Sequence, residues 1–256
     1  MPVSQYSAKP ADRSNVAAVV LTLNEEHNIR RCLDHLSWVD EIVVLDSGSY
    51  DRTCEIARAI GASVIINKPD KFIISDQRNW AIDNAGVLSE WILFVDADEV
   101  VTVELRDALL SAISSAPSDL AAFRLCPKFI FMGRWLRHVL DFPAWHDRLL
   151  RRGAARYGGG VWEHFETNGK IGYIKEPYLH YGLSNGISEW LCKHQRYAKW
   201  KAETISVSRD TAEQDGLKPA YLKLGWPKRS IHDLQERCGT RLGVFSTIMR
   251  FSIITY

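Results

Sequence analysis

Short apolar runs alternate with segments of helical periodicity along the first half of the chain. Runs that are apolar at nearly every position are typical of strands buried on both faces. The predicted strands are 16–22, 41–46, 63–67, 91–95 and 121–125. Predicted helices begin near Asn24–Glu26, run over 52–60 and end at Gly61, begin at Ser75 or Asp76, and run over 103–113. This order predicts an α/β fold with a mainly parallel central sheet flanked by helices.

The pattern changes after Pro127. The residues that follow are rich in Trp, His and Arg and show no clean alternation of strand and helix. We therefore predict one large domain in two parts, with a flexible leader before it and a helical C-terminal appendage after it. The predicted boundaries are 1–14 for the leader, 15–126 for the βα half, 127–204 for the second half of the same domain, and 205–256 for a basic amphipathic segment.

Charge is nearly balanced over the whole chain but not along it. The 32 Lys and Arg residues against 31 Asp and Glu leave a formal net charge of +1, which argues against a general nucleic-acid binder. From Lys218 onward, seven basic residues accompany two acidic ones among Trp, Phe, Leu and Ile. That composition favours contact with a membrane surface, and a helix packed on the core is the competing interpretation.

Cysteine usage and hydropathy bear on location. The five cysteines are scattered without C-x-x-C spacing, which predicts neither a disulfide framework nor a cysteine zinc site. No stretch reaches the roughly 18 apolar residues of a membrane span, and the N-terminus lacks the apolar stretch of a signal peptide. We expect a cytoplasmic protein, either free or attached to the inner face of the cell membrane.

Polar clusters follow three of the predicted strands. They are Thr22–Glu25, Asp46–Ser49 and Asp96–Glu99. Open parallel sheets bind ligands outside the carboxyl ends of their strands, so we expect all three clusters at one ligand-binding edge. Asp96 and Asp98 are two positions apart and can point the same way, which would let them share one cation, Mg²⁺ or Mn²⁺. A solvated turn is the simpler alternative for either aspartate motif.

Four motifs in order resemble those of the family 2 glycosyltransferases of the GT-A fold. They are T-L-N-E-E (22–26), D-S-G-S-x-D-x-T (46–53), Q-R-N (77–79) and D-A-D-E (96–99). The resemblance covers roughly residues 15–200 and implies a nucleotide-sugar-binding sandwich that transfers a sugar with inversion of its anomeric centre. It implies that Thr22, Asn24 and Glu25 line the nucleotide pocket and that Asp46 holds the base.

The same resemblance assigns the charged residues that follow. It implies that Arg78 lies near the nucleotide or its phosphates and that Asp98 is the principal ligand of a divalent metal. Asp96 would lie closer to the ribose or to a metal-bound water. For Thr22, Asn24, Glu25, Asp46 and Arg78, a helix cap or a surface side chain is the plain alternative.

Within the family, the chain looks most like bacterial lipopolysaccharide core glycosyltransferases. The stretch 148–163, R-L-L-R-R-G-x-x-R-Y-x-G-x-V-x-E, carries this likeness, although Trp162 stands where His is usual. Inversion needs a base that takes the proton of the attacking hydroxyl, and Glu163 is our candidate, with His164 and Glu166 in reserve. A surface position on a strand is the alternative for Glu163.

Further residues are candidates for phosphate or metal contacts. His180 occupies the position of a His that completes the metal site or touches the phosphates in related transferases, and a buried structural His is the alternative. Arg148, Arg151 and Arg152 suit leaving-group phosphates or a phosphorylated acceptor, while a solvated basic face explains at least two of them more simply. The expected donor is a UDP-sugar, with glucose as the expected sugar, and the expected acceptor is a saccharide or a lipid-linked saccharide of the cell envelope.

Two other functional classes remain open at this level. A strand followed by D-x-D also occurs in phosphatases of the haloacid dehalogenase type, but these have Thr or Val where this chain has Glu99, and they do not account for Asp46. A binding protein without catalytic activity on the same fold is the second alternative. Activity on simple phosphate esters would indicate the first, and UDP binding without turnover the second.

Overall fold

The structure is a computed structural model that describes residues 14–137, 142–159, 163–192 and 195. The described residues up to Asn185 belong to one compact unit and those from Gly186 onward to a second, in which residues 187–192 are helical. The predicted leader up to Arg13 and the predicted segment 205–256 lie outside the described residues. In the part of the chain that is described, no helix is long and apolar enough to cross a membrane.

Thirteen strands and four helices make up the first unit as described. The strands are β1 (Val16–Thr22), β2 (Glu41–Asp46), β3 (Ser63–Ile66), β4 (Trp91–Asp96), β5 (Glu99–Val100), β6 (Leu120–Leu125), β7 (Pro127–Phe131), β8 (Arg134–Trp135), β9 (His146–Arg151), β10 (Arg156–Gly158), β11 (His164–Glu166), β12 (Lys170–Tyr173) and β13 (Tyr178–His180). The helices are α1 (Ile29–Asp34), α2 (Thr53–Ile60), α3 (Ile74–Asn84) and α4 (Val103–Ser114).

The central sheet has seven strands in the order β12-β6-β9-β4-β1-β2-β3. The pairs β3–β2, β2–β1, β1–β4 and β12–β6 are parallel, whereas β9 is antiparallel to both of its neighbours. Six of the seven strands described in this sheet therefore share one direction, which confirms the predicted α/β class with a mainly parallel sheet.

Both faces of the central sheet are covered. Alternate residues of β1 enter two different cores: Val16, Ala18 and Val20 pack with residues of α1 and α4, whereas Ala17, Val19 and Leu21 pack with residues of α3 and β10. This double burial explains why β1 is apolar at every position before Thr22.

Two helices begin at residues other than those predicted. The chain turns at Asn24, whose φ of 57° is left-handed, and α1 begins only at Ile29, with the carbonyl of Glu25 accepting from the Ile29 amide at 2.8 Å. Helix α3 begins at Ile74, so Ser75 lies inside its first turn. The polar residues after β1 therefore form a loop and do not begin a helix, because their side chains bind neighbouring segments of the chain.

The region after Pro127 contains strands that the sequence pattern did not predict. Strands β13, β7 and β8 join β5, which lies directly after β4, in a second sheet of order β5-β13-β7-β8, and β10 pairs with β11 as a separate hairpin. These strands are two to five residues long, too short for a periodicity to be recognised. They matter for the site, because β13 carries His180 and Glu163 directly precedes β11.

Candidate active site

The carboxyl ends of β1, β2 and β4 lie side by side, as the sheet order requires. Thr22 is the register partner of Asp46, and Leu21 is the partner of Asp96. The three polar clusters predicted at the strand ends are therefore brought to one edge of the sheet.

Asp46 is fully buried at this edge and organises the loop after β2. Its carboxylate accepts hydrogen bonds from the Gly48 amide at 2.9 Å, from the Ser49 amide at 2.7 Å and hydroxyl at 2.5 Å, and from the Thr22 hydroxyl at 2.9 Å. Burial favours the neutral acid, but these hydrogen bonds outweigh it and lower the pKa of Asp46. Asp46 is therefore an ionised anchor that ties β1 to the D-S-G-S turn.

Asn24 binds the loop after β2, and Glu25 binds two asparagine side chains. The Asn24 side-chain oxygen accepts from the Tyr50 amide at 3.0 Å, and the Asn24 amide donates to the Ser49 hydroxyl at 2.7 Å. The Glu25 carboxylate accepts from the side-chain amides of Asn28 at 2.7 Å and Asn185 at 3.1 Å. Both residues lie at the edge where they were predicted.

A buried ion-pair network surrounds the end of β4. Arg78, fully buried on α3, approaches one Asp96 carboxylate oxygen at 3.3 Å, and Arg148, from β9, donates to the other at 2.9 Å. The Arg78 guanidinium lies beside the edge-on ring pair of Phe94 and Tyr157, at 5.4 and 5.1 Å from the ring centres. Burial opposes ionisation of Asp96, but the two arginines outweigh it and hold its pKa below the ordinary range.

Glu99 is the acid of the D-A-D-E motif to which the sequence assigned no role. It is 2% exposed, accepts from Arg148 at 2.6 Å, and accepts from the Asp96 amide at 2.9 Å, so it closes the turn after β4. Burial raises the pKa of Glu99 to about 7 in spite of the neighbouring Arg148. The signal that could have found this role is that the acid is followed directly by the apolar Val100 and Val101, so the chain enters the core right after it.

Glu163 lies in the same network. One carboxylate oxygen is 2.8 Å from the Arg78 guanidinium, and the other is buried without a hydrogen-bond partner among the described residues. Burial raises the pKa of Glu163, although Arg78 and Arg148 oppose the shift. Glu163 is therefore a buried carboxyl group whose basicity is set by burial and by the neighbouring arginines.

His180 and Asp98 form a pair next to this network. The His180 Nε2 atom lies 3.4 Å from an Asp98 carboxylate oxygen, and the ring stacks edge-on against Phe129. Burial disfavours the charged imidazole, but Asp98 outweighs this and raises the pKa of His180. The Nδ1 atom is buried without a partner among the described residues.

The donor atoms fit a divalent cation held by two protein ligands. Adjacent ligand atoms of an octahedral Mg²⁺ are about 3 Å apart, close to the separation of Asp98 and His180. Both Asp96 oxygens are engaged by arginines, so Asp96 could share such an ion only by releasing one of them. Within the described residues no group of three or more His, Cys, Asp or Glu residues is arranged around one point, so oxygens of a bound phosphate or water would have to complete the coordination.

Three of the predicted contact residues lie elsewhere. Arg151 pairs in register with Trp91 at the start of β4, the end of the strand opposite to Asp96, and binds Glu90 there. Arg152 donates to the carbonyls of Ser89 and Leu88 in the same region. The side chain of His164 is 56% exposed and lies 4.0 Å from Glu166, outside the network.

Comparison with known proteins gives matches over most of the chain. The family model described as "Glycosyl transferase family 2" matches residues 17–181. A lipopolysaccharide core biosynthesis glycosyltransferase, LpsC, from Rhizobium meliloti (strain 1021) is 27% identical over 217 residues, covering 82% of this chain and 76% of the relative. An uncharacterized glycosyltransferase of Rickettsia felis is 35% identical, but the match covers only 41% of this chain and 36% of that protein.

Among solved structures, glucosyl-3-phosphoglycerate synthase from Mycobacterium tuberculosis in complex with phosphoglyceric acid matches with a TM-score of 0.42 and 22% identity. That match covers 54% of this chain and 56% of the synthase chain.

Proposed function

Because the chain belongs to glycosyl transferase family 2, we propose that it transfers a hexose, glucose in the first instance, from a UDP-sugar to a saccharide or lipid-linked acceptor with inversion at the anomeric carbon. The similarity to the R. meliloti protein named for lipopolysaccharide core biosynthesis supports an acceptor of the cell envelope. Family membership also speaks against the phosphatase alternative, as does the engagement of both Asp96 oxygens by arginines.

The observation on which this proposal rests is the environment of the Glu163 carboxylate. Inverting transfer requires a carboxylate near the donor that takes the proton of the acceptor hydroxyl as that hydroxyl attacks. Arg78 holds one oxygen of Glu163 at 2.8 Å, and the other has no partner among the described residues. Because burial raises its pKa, ionised Glu163 is a stronger base than an exposed carboxylate.

The donor nucleotide is assigned to the edge formed by β1, β2 and β4. We assign Thr22, Asn24 and Glu25 to the nucleotide pocket, Asp46 to the base and Asp96 to the ribose side. The hydrogen bonds that Asp46 makes to its own loop imply that it acts on the base largely through the shape of that loop. Arg78 lies next to both Asp96 and Glu163 and would connect the donor side to the acceptor side.

A divalent cation, Mg²⁺ or Mn²⁺, is the cofactor that we propose, with Asp98 and His180 as its ligands. The ion would neutralise charge on the departing diphosphate. The local charge supports this role, because Asp96 and Glu163 already engage the two buried arginines, and a bound diphosphate would need a cation to offset its own charge.

The expected acceptor indicates where in the cell the protein acts. A lipid-linked acceptor would lie at the cytoplasmic face of the membrane, so we propose a cytoplasmic protein that attaches there peripherally. The basic segment 205–256 was predicted to make this contact.

The test is a panel of nucleotide sugars assayed for metal-dependent UDP release with and without acceptor. Glu163→Gln should retain UDP binding and lose transfer by about 10² to 10⁴-fold, as expected for the loss of a general base. Glu166→Gln, three residues on and exposed, is the matched control and should transfer normally. UDP binding by the wild type without turnover of any donor would instead favour a binding protein on this fold.

The metal assignment has a test that does not depend on activity. Binding of Mn²⁺ can be followed by electron paramagnetic resonance in the presence of UDP, and Asp98→Asn and His180→Ala should each weaken it. Unchanged Mn²⁺ binding in both variants would rule out these ligands.

A further inference from the structure

A hairpin outside the candidate active site has an unusual tip. Strands β7 and β8 pair Phe131 with Arg134, which leaves Met132 and Gly133 as a two-residue turn. Both turn residues have positive φ, 48° and 74°, the signature of a type I′ turn. Asn and Gly are the usual residues at the first of these positions, because a larger side chain disfavours left-handed backbone.

Met132 is therefore a poor choice for the turn itself. Its side chain is 86% exposed, so it stabilises no core that would explain its presence. An apolar side chain kept at a strained and exposed position indicates a function outside the folding of the hairpin.

The flanks of the hairpin are cationic and aromatic. Residues 127–137 include Lys128, Arg134 and Arg137 and no acidic residue. The Trp135 ring is contacted by Lys128 at 5.0 Å and by Arg137 at 4.9 Å, and it packs edge-on against Phe142, whose side chain is partly exposed. Among the described residues, Glu104 interacts electrostatically with Lys128.

We propose that this hairpin docks on an anionic lipid membrane, with Met132 inserted into the interfacial layer and the three cations among the lipid headgroups. An apolar tip flanked by aromatic and basic residues suits a membrane interface, because the apolar and aromatic groups enter the interfacial layer and the basic groups bind anionic headgroups. The charge is complementary to anionic lipids, whereas the apolar patch is small for a stable protein interface.

The hairpin lies next to the candidate active site, so docking would also position that site. Phe129, at the base of β7, packs against His180 with 5.2 Å between ring centres. The turn lies three residues further along, about 10 Å in an extended strand. Docking would hold the His180 region close to the membrane surface, whatever reaction takes place there.

The test measures sedimentation of the full chain with vesicles of phosphatidylcholine alone and of phosphatidylcholine mixed with phosphatidylglycerol. We expect binding only to the anionic vesicles, weakened by salt. Arg134→Gln should weaken it about fivefold, the share of one cation near such a surface. The matched control is Arg58→Gln on α2, which removes the same charge from an exposed position and should change nothing.

Met132→Asn separates binding from folding. Asn is preferred at this turn position, so the variant should unfold at the same or a higher temperature, yet bind anionic vesicles about tenfold more weakly. Leu88→Asn removes another exposed apolar side chain, before β4, and should bind as the wild type does.

Failure of the wild type to bind anionic vesicles would overturn the proposal, as would unchanged vesicle binding by both hairpin variants. If the variants instead abolished self-association in sedimentation velocity and left vesicle binding intact, the occupant would be a second copy of the chain and the proposal would be wrong. Vesicle binding requires no sugar transfer, so this test is independent of the proposed function.

Discussion

Replacing Arg148 by Met tests whether this residue is a buried structural ion or a phosphate contact. The sequence offered phosphate or acceptor contact as one role, and the structure places the side chain 4% exposed between Asp96 and Glu99. Met has a similar length and no charge, so the change removes two ion pairs with little change in packing volume.

The expected loss of stability is large, because two buried carboxylates lose a partner. Removing one member of a buried ion pair costs about 3–5 kcal/mol. Asp96 keeps Arg78 at 3.3 Å, whereas Glu99 loses the only ion-pair partner that it has among the described residues, so most of the cost falls on Glu99. Adding Glu99→Gln to Arg148→Met should therefore recover about 1–3 kcal/mol, the range of coupling between residues in contact.

Denaturant unfolding of the wild type, the two single variants and the double variant measures this coupling, at a pH above the pKa of about 7 of Glu99, where its carboxylate is ionised. Arg106→Met on α4, a partly exposed arginine that pairs with its exposed neighbour Asp107, is the control and should lose about 1 kcal/mol or less of unfolding free energy. A loss below about 1 kcal/mol in Arg148→Met, with a weakened affinity for UDP, would refute the structural role and favour the phosphate contact.

Three further predictions concern single positions. Asp46 has a lowered pKa in the folded state, so its contribution to stability is present above its ordinary pKa of 3.8 and is lost as the pH falls below it. The unfolding free energy of Asp46→Asn should therefore fall less steeply with decreasing pH than that of the wild type, and identical pH curves would contradict this. Thr102→Ala removes the side-chain cap of α4 and should lower the free energy of unfolding by about 1 kcal/mol, while an unchanged denaturation midpoint would deny the cap a role. Gly172→Ala places a methyl group 2.7 Å from the Phe123 ring and should cost about 1–3 kcal/mol in the same assay, which Phe123→Leu should relieve if the clash is the cause.

The first half of the fold could be predicted because its strands are buried on both faces. The predicted bounds of β1 and β2 match the structure, and α2 ends before Gly61, whose φ of 97° needs a glycine. The strands after Pro127 could not be predicted, because their burial follows from pairing with distant partners. His180, for example, pairs with Phe129 and Glu99, which lie far from it in the sequence.

The positions of the acids in the candidate site could be predicted from the sequence, whereas those of the arginines could not. Strand ends have a sequence signature, so Asp46 and Asp96 could be placed at one edge before the structure was known. Arg148 and Arg151 are chemically alike in the sequence, and only the direction of β9 separates them. Because β9 is antiparallel to β4, Arg148 meets the end of β4 that carries Asp96, and Arg151, three residues on, meets its start.

The reversal of β9 also distinguishes Asp96 from Asp98. Their spacing in the sequence treats the two as equivalent carboxylates that could share a cation. Arg148 arrives from β9 on one side of Asp96 and Arg78 from α3 on the other, so the charge of Asp96 is compensated within the protein. Asp98 has His180 at 3.4 Å instead, a partner that binds a metal once its imidazole is neutral. The arginines thus commit Asp96 to the protein, and Asp98, which lies beside a second possible metal ligand, is the aspartate of this motif that we propose for the ion.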